Sequence, residues 1–327
     1  MTRPMIAPII RQTAGGPVKS VISSECDKRR LVNPATLYEI FESGEMSEQV
    51  QIEKVFKDVH EHQRVAELIQ RFSTNKGNVQ KIALEGLDLT HCRQILDLGC
   101  AFGSFSEKLE GRVPPDATAT GVDIIAAYEP LYLAACRRAS IRGQFFSTGA
   151  PLLKTFPEGS FDLALCSYAL YFFPEVIPEV ANLLRPEGIF AVITHYRRNP
   201  GELIDLTKKI LETNGLMQEM DLPLEIINNR FSADNGEALL KPWFGRVEII
   251  DFTNTLVFTK EDTEYLLEYF RFKSPLYLTD AGLDAEAVLP LILENLSRSS
   301  CERNGMTLSK DDRIFICSLP RHGGVEP

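Results

Sequence analysis

Residues 94–196 predict an α/β protein built on a doubly wound, mostly parallel sheet. Three observations carry this. Short apolar runs alternate with helical stretches. The runs are almost continuously hydrophobic, as in Phe161–Ser167 (FDLALCS), the pattern of strands covered on both faces. A tight turn from Gly99 to Gly103 joins the first strand to a helix.

The strands are placed at Gln94–Leu98, Thr118–Ile124, Gln144–Ser147, Phe161–Ser167 and Ile189–Tyr196, with Arg185–Gly188 as a turn before the fifth. Helices are expected from Ser104, over Leu131–Ser140 and over Glu175–Leu184. After Tyr196 the alternation stops. Residues 201–241 read as two or three helical pieces, and Val247–Phe258 as one long strand. Thr259 and Asp262 form a capping box for a helix carrying Tyr265, Leu266, Tyr269 and Phe270. A helix then runs from Asp284 to about Arg303, and Arg313–Leu319 is the seventh strand. Ahead of the sheet, apolar residues at helical spacing over 36–86 predict helices, the last around Asn78–Leu87. The expected organisation is a flexible arm over 1–33, a helical cap over 34–90, a ligand-binding core over 91–200, a helical lid with the last strands over 201–320, and a tail over 321–327.

Bulk composition narrows the function. Of 327 residues 44% are hydrophobic and 24% charged, ordinary for a globular chain with a sizeable core. The net charge of -10 repels phosphate backbones, and no basic patch compensates, so no nucleic-acid partner is expected. No run of 18 apolar residues occurs, so neither a membrane span nor a membrane partner is expected. Seven scattered cysteines without a CxxC pair suit reduced thiols in a cytoplasm rather than disulfides or a metal site. A monomer and a homodimer both stay open.

The turn Asp97-Leu98-Gly99-Cys100-Ala101-Phe102-Gly103-Ser104 carries the chemistry. A dinucleotide pyrophosphate would want glycines where Ala101 and Ser104 stand. Asp97 suits an ammonium group better than a phosphate. The turn therefore fits a zwitterionic, phosphate-free nucleoside.

LDLGCAFGSF resembles the first motif of class I S-adenosylmethionine-dependent methyltransferases. Gly121-Val122-Asp123-Ile124 resembles their second-strand acidic motif, Phe161–Ser167 their fourth strand, and Leu184–Phe190 the LRPGG turn into the fifth. The likeness spans roughly 94–198. It implies a seven-stranded Rossmann-like methyltransferase fold with N-terminal helices and a helical lid inserted after the fifth strand. It implies S-adenosyl-L-methionine as cofactor and a small-molecule acceptor. The cofactor residues it implies are Arg71, Asp97, Gly99, Cys100, Ala101, Gly103, Asp123, Ile124, Gly149, Ala150, Ser167 and Tyr168, with Asp123 on the ribose hydroxyls. The sequence departs from the family at Ala101, where glycine is common, and at Gly149-Ala150, where an acid often meets the adenine.

Substrate chemistry belongs at the carboxyl ends of the fourth and fifth strands. Tyr168 and Tyr171 can bond the substrate or face a sulfonium. His195 is either the general base or a histidine that bonds backbone or the methionine carboxylate. Arg197 either pairs an anionic substrate group or lies in a solvated turn. Tyr265 and Tyr269 either line an apolar pocket or pack as core. The fourth strand lacks the Asn/Asp-Pro-Pro-Tyr motif of enzymes acting on adenine, cytosine or glutamine nitrogens. The expected reaction is methyl transfer to an oxygen or carbon of a small apolar or aromatic metabolite. The alternatives are an NAD-dependent oxidoreductase on the same type of sheet and a methyltransferase acting on a macromolecule.

Overall fold

The computed structural model describes residues 52–216, 221–279 and 283–323. The expected arm over 1–33, the first expected cap helix and the last residues of the tail lie outside them. After a helical turn at 52–56 come α1 (Val59–Phe72) and α2 (Val79–Leu84). Each begins on a side-chain cap. Asp58 accepts from the His60 and Glu61 amides, and Asn78 from the Lys81 amide.

The sheet then alternates with helices: β1 (Gln94–Leu98), β2 (Thr118–Val122), α3 (Glu129–Arg138), β3 (Arg142–Phe146), β4 (Phe161–Ser167), α4 (Ile177–Leu183) and β5 (Leu184–His195). Beyond it lie α5 (Gly201–Thr213), α6 (Pro223–Arg230), α7 (Gly236–Leu240), β6 (Phe244–Phe252), β7 (Thr255–Thr259), α8 (Thr263–Leu278), α9 (Ala285–Glu302), β8 (Gly305–Ser309) and β9 (Asp312–Pro320). Seven strands form one sheet in the order β3-β2-β1-β4-β5-β9-β6. The first five are parallel, and β9 runs antiparallel between β5 and β6. This is the expected mostly parallel seven-stranded sheet of the Rossmann-like methyltransferase fold.

Alternation along the strands feeds two apolar layers. Leu96, Leu98, Ala164, Cys166, Phe190 and Val192 pack with α1, α8 and α9. Ile95, Leu163, Leu165, Ala191 and Ile193 pack with α2 and α3, where Leu84, Tyr132 and Cys136 are fully buried.

Four local expectations change. The long strand over 247–258 is two strands, because Thr253 and Asn254 leave the main sheet. The Asn254 amide bonds Asp311 and its side-chain amide bonds Ser73, so β7 turns to pair with β8 in a separate two-stranded sheet. The β8 strand, too short and broken by Gly305 to stand out, is absent from the expectation. The expected helix from Ser104 is one 3-10 turn, Ser106–Leu109. The Arg185–Gly188 turn is absorbed into β5 as an irregularity opposite Phe161–Leu163.

Asp162 pins the start of β1. Its carboxylate accepts from the Arg93 and Gln94 amides at 2.8 Å each and pairs with Arg185. Among the described residues no helix is long and apolar enough to cross a membrane. Asp162→Ala strips two amides of their acceptor and breaks the pair with Arg185, and we expect a loss of about 1–3 kcal/mol in unfolding free energy by urea titration. A midpoint equal to wild type would show that the anchor is dispensable.

Candidate active site

The glycine turn closes β1 with a run of left-handed residues: Gly99 (φ 61°), Ala101 (φ 42°) and Gly103 (φ 81°). Gly99 is obligatory, since a Cβ there would stand 2.3 Å from that of Ala169. Ala101 tolerates its strained backbone because its amide donates to Asp123 at 2.9 Å. Asp123 ends β2 and also accepts from the Ile124 (2.8 Å) and Ile125 (3.0 Å) amides. Burial raises its carboxyl above the ordinary range, against the pull of these amides. It remains partly exposed, and a carboxylate has about four acceptor positions, so a hydroxyl pair can still reach it. Gly149 (φ 67°) donates its amide to the Asp123 carbonyl and lies against Ile124, where a Cβ would approach the Ile124 Cγ2 to 2.7 Å. Ala150 follows it in a 3-10 turn, Ala150–Thr155. Ser167 ends β4 with a buried hydroxyl lacking a partner.

Asp97 lies deeper than Asp123. It shares the face of Ile95, beneath the turn, and is 2% exposed. Its carboxyl accepts from the Ser106 hydroxyl at 2.6 Å, and that hydroxyl lies 3.2 Å from the Tyr132 hydroxyl. Burial pushes its pKa up to about 7. Ser106 engages Oδ2 alone, and Oδ1 has no hydrogen bond among the described residues. The observed work of Asp97 is to tie the turn to the helical segment behind it. Cys100 is likewise buried on this side, its thiol raised well above the usual range by burial.

A second cluster gathers at the carboxyl ends of β4 and β5. His195 Nδ1 lies 2.7 Å from Asp312 Oδ1. Tyr168, held at φ 57° with its amide on the Ile193 carbonyl, donates its hydroxyl to Asp312 Oδ2 at 2.6 Å. Its ring stacks on the His195 imidazole at 4.5 Å, and Tyr171 lies 6.3 Å beyond. Lys310 Nζ donates to both Asp312 oxygens, at 2.8 and 2.9 Å. The carboxylate can only accept, so His195 presents Nδ1–H to it and keeps Nε2 as an acceptor. The ammonium, 3.4 Å from Nδ1, then faces a proton and acts on the ring by charge. Burial, followed by the Lys310 charge, lowers His195 to about 4 despite Asp312. Burial would raise Asp312, but Lys310 and His195 outweigh it and hold the carboxyl at about 2. The imidazole is therefore neutral at physiological pH.

The other expected residues divide. Tyr269 is fully buried, its ring near that of Phe258 and its hydroxyl unpartnered among the described residues. Arg71 lies over the Phe72 and Tyr265 rings (4.9 and 4.5 Å) and 4.0 Å from Asp262, all of them on or beside the cap helices. Arg197 pairs with Asp221 at 2.9 Å while its amide bonds Asp234, so its charge has a protein partner. Sequence reasoning missed Lys310, Asp312, Lys273 and His62. The signal for the first two was the charged triplet Lys310-Asp311-Asp312 before the last strand. That strand runs antiparallel, so its start meets the carboxyl ends of the parallel ones. His62, on α1, lies 5.1 Å from Phe102 of the turn, stacks on Phe272 at 5.6 Å and bonds the Tyr128 hydroxyl at 2.6 Å. Burial lowers its pKa to about 4. Among the described residues no group of three or more His, Cys, Asp or Glu side chains is placed to hold a metal ion.

The chain is thus an α/β protein with a glycine turn after β1 and a histidine–carboxylate pair at its strand ends. Residues 95–188 match the family model of a methyltransferase domain. The chain is 28% identical over 133 residues to the uncharacterised methyltransferase YcgJ of Bacillus subtilis, covering 36% of this chain and 50% of that protein. It is 34% identical over 116 residues to the nocamycin O-methyltransferase of Saccharothrix syringae, covering 33% and 40%. The chain thus spans half or less of these curated relatives. The solved structure of YcgJ overlaps 80% of this chain and 100% of its own, at 16% identity and a TM-score of 0.44. A Haemonchus contortus phosphoethanolamine N-methyltransferase overlaps 83% and 59%, at 14% identity and a TM-score of 0.45. Residues 95–188 thus carry a methyltransferase domain, similar to class I S-adenosylmethionine-dependent methyltransferases.

Asp97 predicts a pH effect on stability. Its pKa is raised on folding, so its contribution is fully present below about pH 4 and is lost as pH rises towards 7. Asp97→Asn should flatten this fall by about 2–4 kcal/mol in urea titrations across that window. Parallel curves for the two proteins would refute the buried, raised carboxyl.

Proposed function

We propose that the protein transfers a methyl group from S-adenosyl-L-methionine to an oxygen of a small acceptor, with His195 as general base. The observation that carries this is the His195–Asp312 pair, Nε2 free, at the carboxyl ends of β4 and β5 inside the methyltransferase fold. A base is needed where an O–H must be broken, which favours oxygen over carbon or an already nucleophilic amine. The O-methyltransferase among the relatives points the same way.

The residues fit the cofactor. Asp123 has acceptor capacity for ribose hydroxyls, the turn at Gly99–Gly103 lets the backbone approach closely, and the Ser167 hydroxyl is unused. When bound, S-adenosylmethionine supplies a methyl group already activated on a sulfonium. The chain aligns the acceptor and excludes water. His195 Nε2 takes the acceptor's proton. Asp312 keeps the imidazole oriented through Nδ1 and stabilises the charge it gains, as the carboxylate of a catalytic triad does. Tyr168 holds Asp312 from the other oxygen and covers one face of the ring. Lys310 keeps the resting imidazole neutral and lowers its basicity, which limits it to acidic protons.

Calorimetry should show micromolar binding of S-adenosylhomocysteine and none of NAD, with Asp123→Ala weakening the former by more than about tenfold. Binding of NAD alone would overturn the cofactor assignment. His195→Ala should lower turnover by about a hundredfold or more while leaving S-adenosylhomocysteine affinity unchanged. Full turnover would remove the base. Lys310→Gln keeps a donor to Asp312 but removes the charge. By imidazole NMR, His195 should then titrate above about 4, with burial still holding it below its ordinary 6.5. An unmoved titration would show that Lys310 does not set the base.

A further inference from the structure

One cation near the site has an aromatic neighbour but, among the described residues, no anionic or hydrogen-bonding partner. Lys273, on α8, is partly buried, and among the described residues its ammonium makes no hydrogen bond or ion pair. The other amines in comparable positions are satisfied: Lys310 by Asp312, and Lys208 by Glu225 at 2.6 Å. A half-desolvated ammonium left unpaired is costly, and its pKa falls to about 8, mainly by burial.

Its position joins the two clusters. The adjacent Phe272 stacks on His62, which touches Phe102 of the glycine turn. The Lys273 charge acts on His62 at one end and on His195 and Asp312 at the other. Its Nζ lies 5.2 Å from the ring centre of Tyr269, one helical turn earlier. The Tyr269 hydroxyl is fully buried, has no partner and is felt by Lys310 and Asp312. A cation and a hydroxyl donor, neither with a hydrogen-bond partner among the described residues, therefore lie together on α8, close enough to Asp312, the partner of the base, to act on it by charge. Buried polar groups without partners mark a missing acceptor.

Resting on the methyltransferase reading above, we propose that Lys273, with Tyr269, receives an acidic oxygen of the methyl acceptor, a carboxylate, phenolate or enolate, and so selects acceptors of that class. The base agrees. A neutral imidazole of low basicity removes the proton of an acidic hydroxyl far more readily than that of an alkyl alcohol. A neutral acceptor would leave the ammonium and the Tyr269 hydroxyl unsatisfied in a closed site.

The test is calorimetry on the full chain saturated with S-adenosylhomocysteine, using naphthalene-2-carboxylate and the isosteric neutral naphthalene-2-carboxamide as probes. Wild type should bind the carboxylate at least about tenfold more tightly than the amide, the worth of one charge-assisted contact. Lys273→Met should erase this preference and Lys273→Arg should restore most of it, with S-adenosylhomocysteine affinity unchanged in both. A preference that survives in Lys273→Met, or no carboxylate binding at millimolar concentration, overturns the proposal. So does a loss confined to S-adenosylhomocysteine, which would make Lys273 a partner of the cofactor. Failure of the wild type to bind S-adenosylhomocysteine would instead overturn the underlying methyltransferase reading.

Discussion

The Asp312 carboxylate is the constraint on which the site depends. It is 2% exposed and accepts from Lys310, His195 and Tyr168. An ionised carboxylate this deep survives only if it is paired and fully hydrogen-bonded. Here three donors from three segments do that, and in doing so they are brought into register. The loop before β9, the end of β5 and the residue after β4 converge on one acceptor. Removing it would leave a buried ammonium, an imidazole without orientation and a tyrosine held at positive φ for no return.

The glycine turn is the opposite kind of construction. Its left-handed backbone is sustained from two sides. Asp123 takes the Ala101 amide from the solvent-facing side, and Asp97 ties Ser106 from below. The two acids of the motif thus have different environments and different work. Asp123 is partly exposed, while Asp97 lies in the α2–α3 layer, where burial raises its carboxyl. An acid placed by motif two residues before a glycine turn is equally consistent with contacting the ligand and with buttressing the turn. Strand parity decides, because Asp97 points to the same side as Ile95.

Charge is distributed unevenly. The chain is acidic overall, yet the interior above the strand ends holds two lysines, one neutralised by Asp312 and one unpaired. Together they depress His195 and leave a local excess of positive charge in an acidic protein. Such a field favours an anionic ligand close to the reacting centre and opposes protonation of the base.

How much of this was legible varies with the range of the interaction. Strand and helix alternation, the glycine turn, Asp123 and the Thr259–Asp262 capping box depend on neighbours in sequence, and residue type and period were enough to read them. His195 and Tyr168 were legible as candidates because they follow β5 and β4, where parallel strands open towards a ligand. Their roles were not, since the deciding partner, Asp312, lies 117 positions from His195. The splitting of the 247–258 run was hidden for the same reason: Asn254 is drawn away by Ser73 and Asp311, which no local pattern announces. The contacts of Arg197 with Asp221 and of Arg71 with the Tyr265 ring are equally invisible to local pattern. The sequence by itself determined the class of fold and the cofactor turn, because both are written in short-range periodicity. Only the tertiary structure decided which charges are satisfied and which are left for a ligand, because pairing is settled by distance in space.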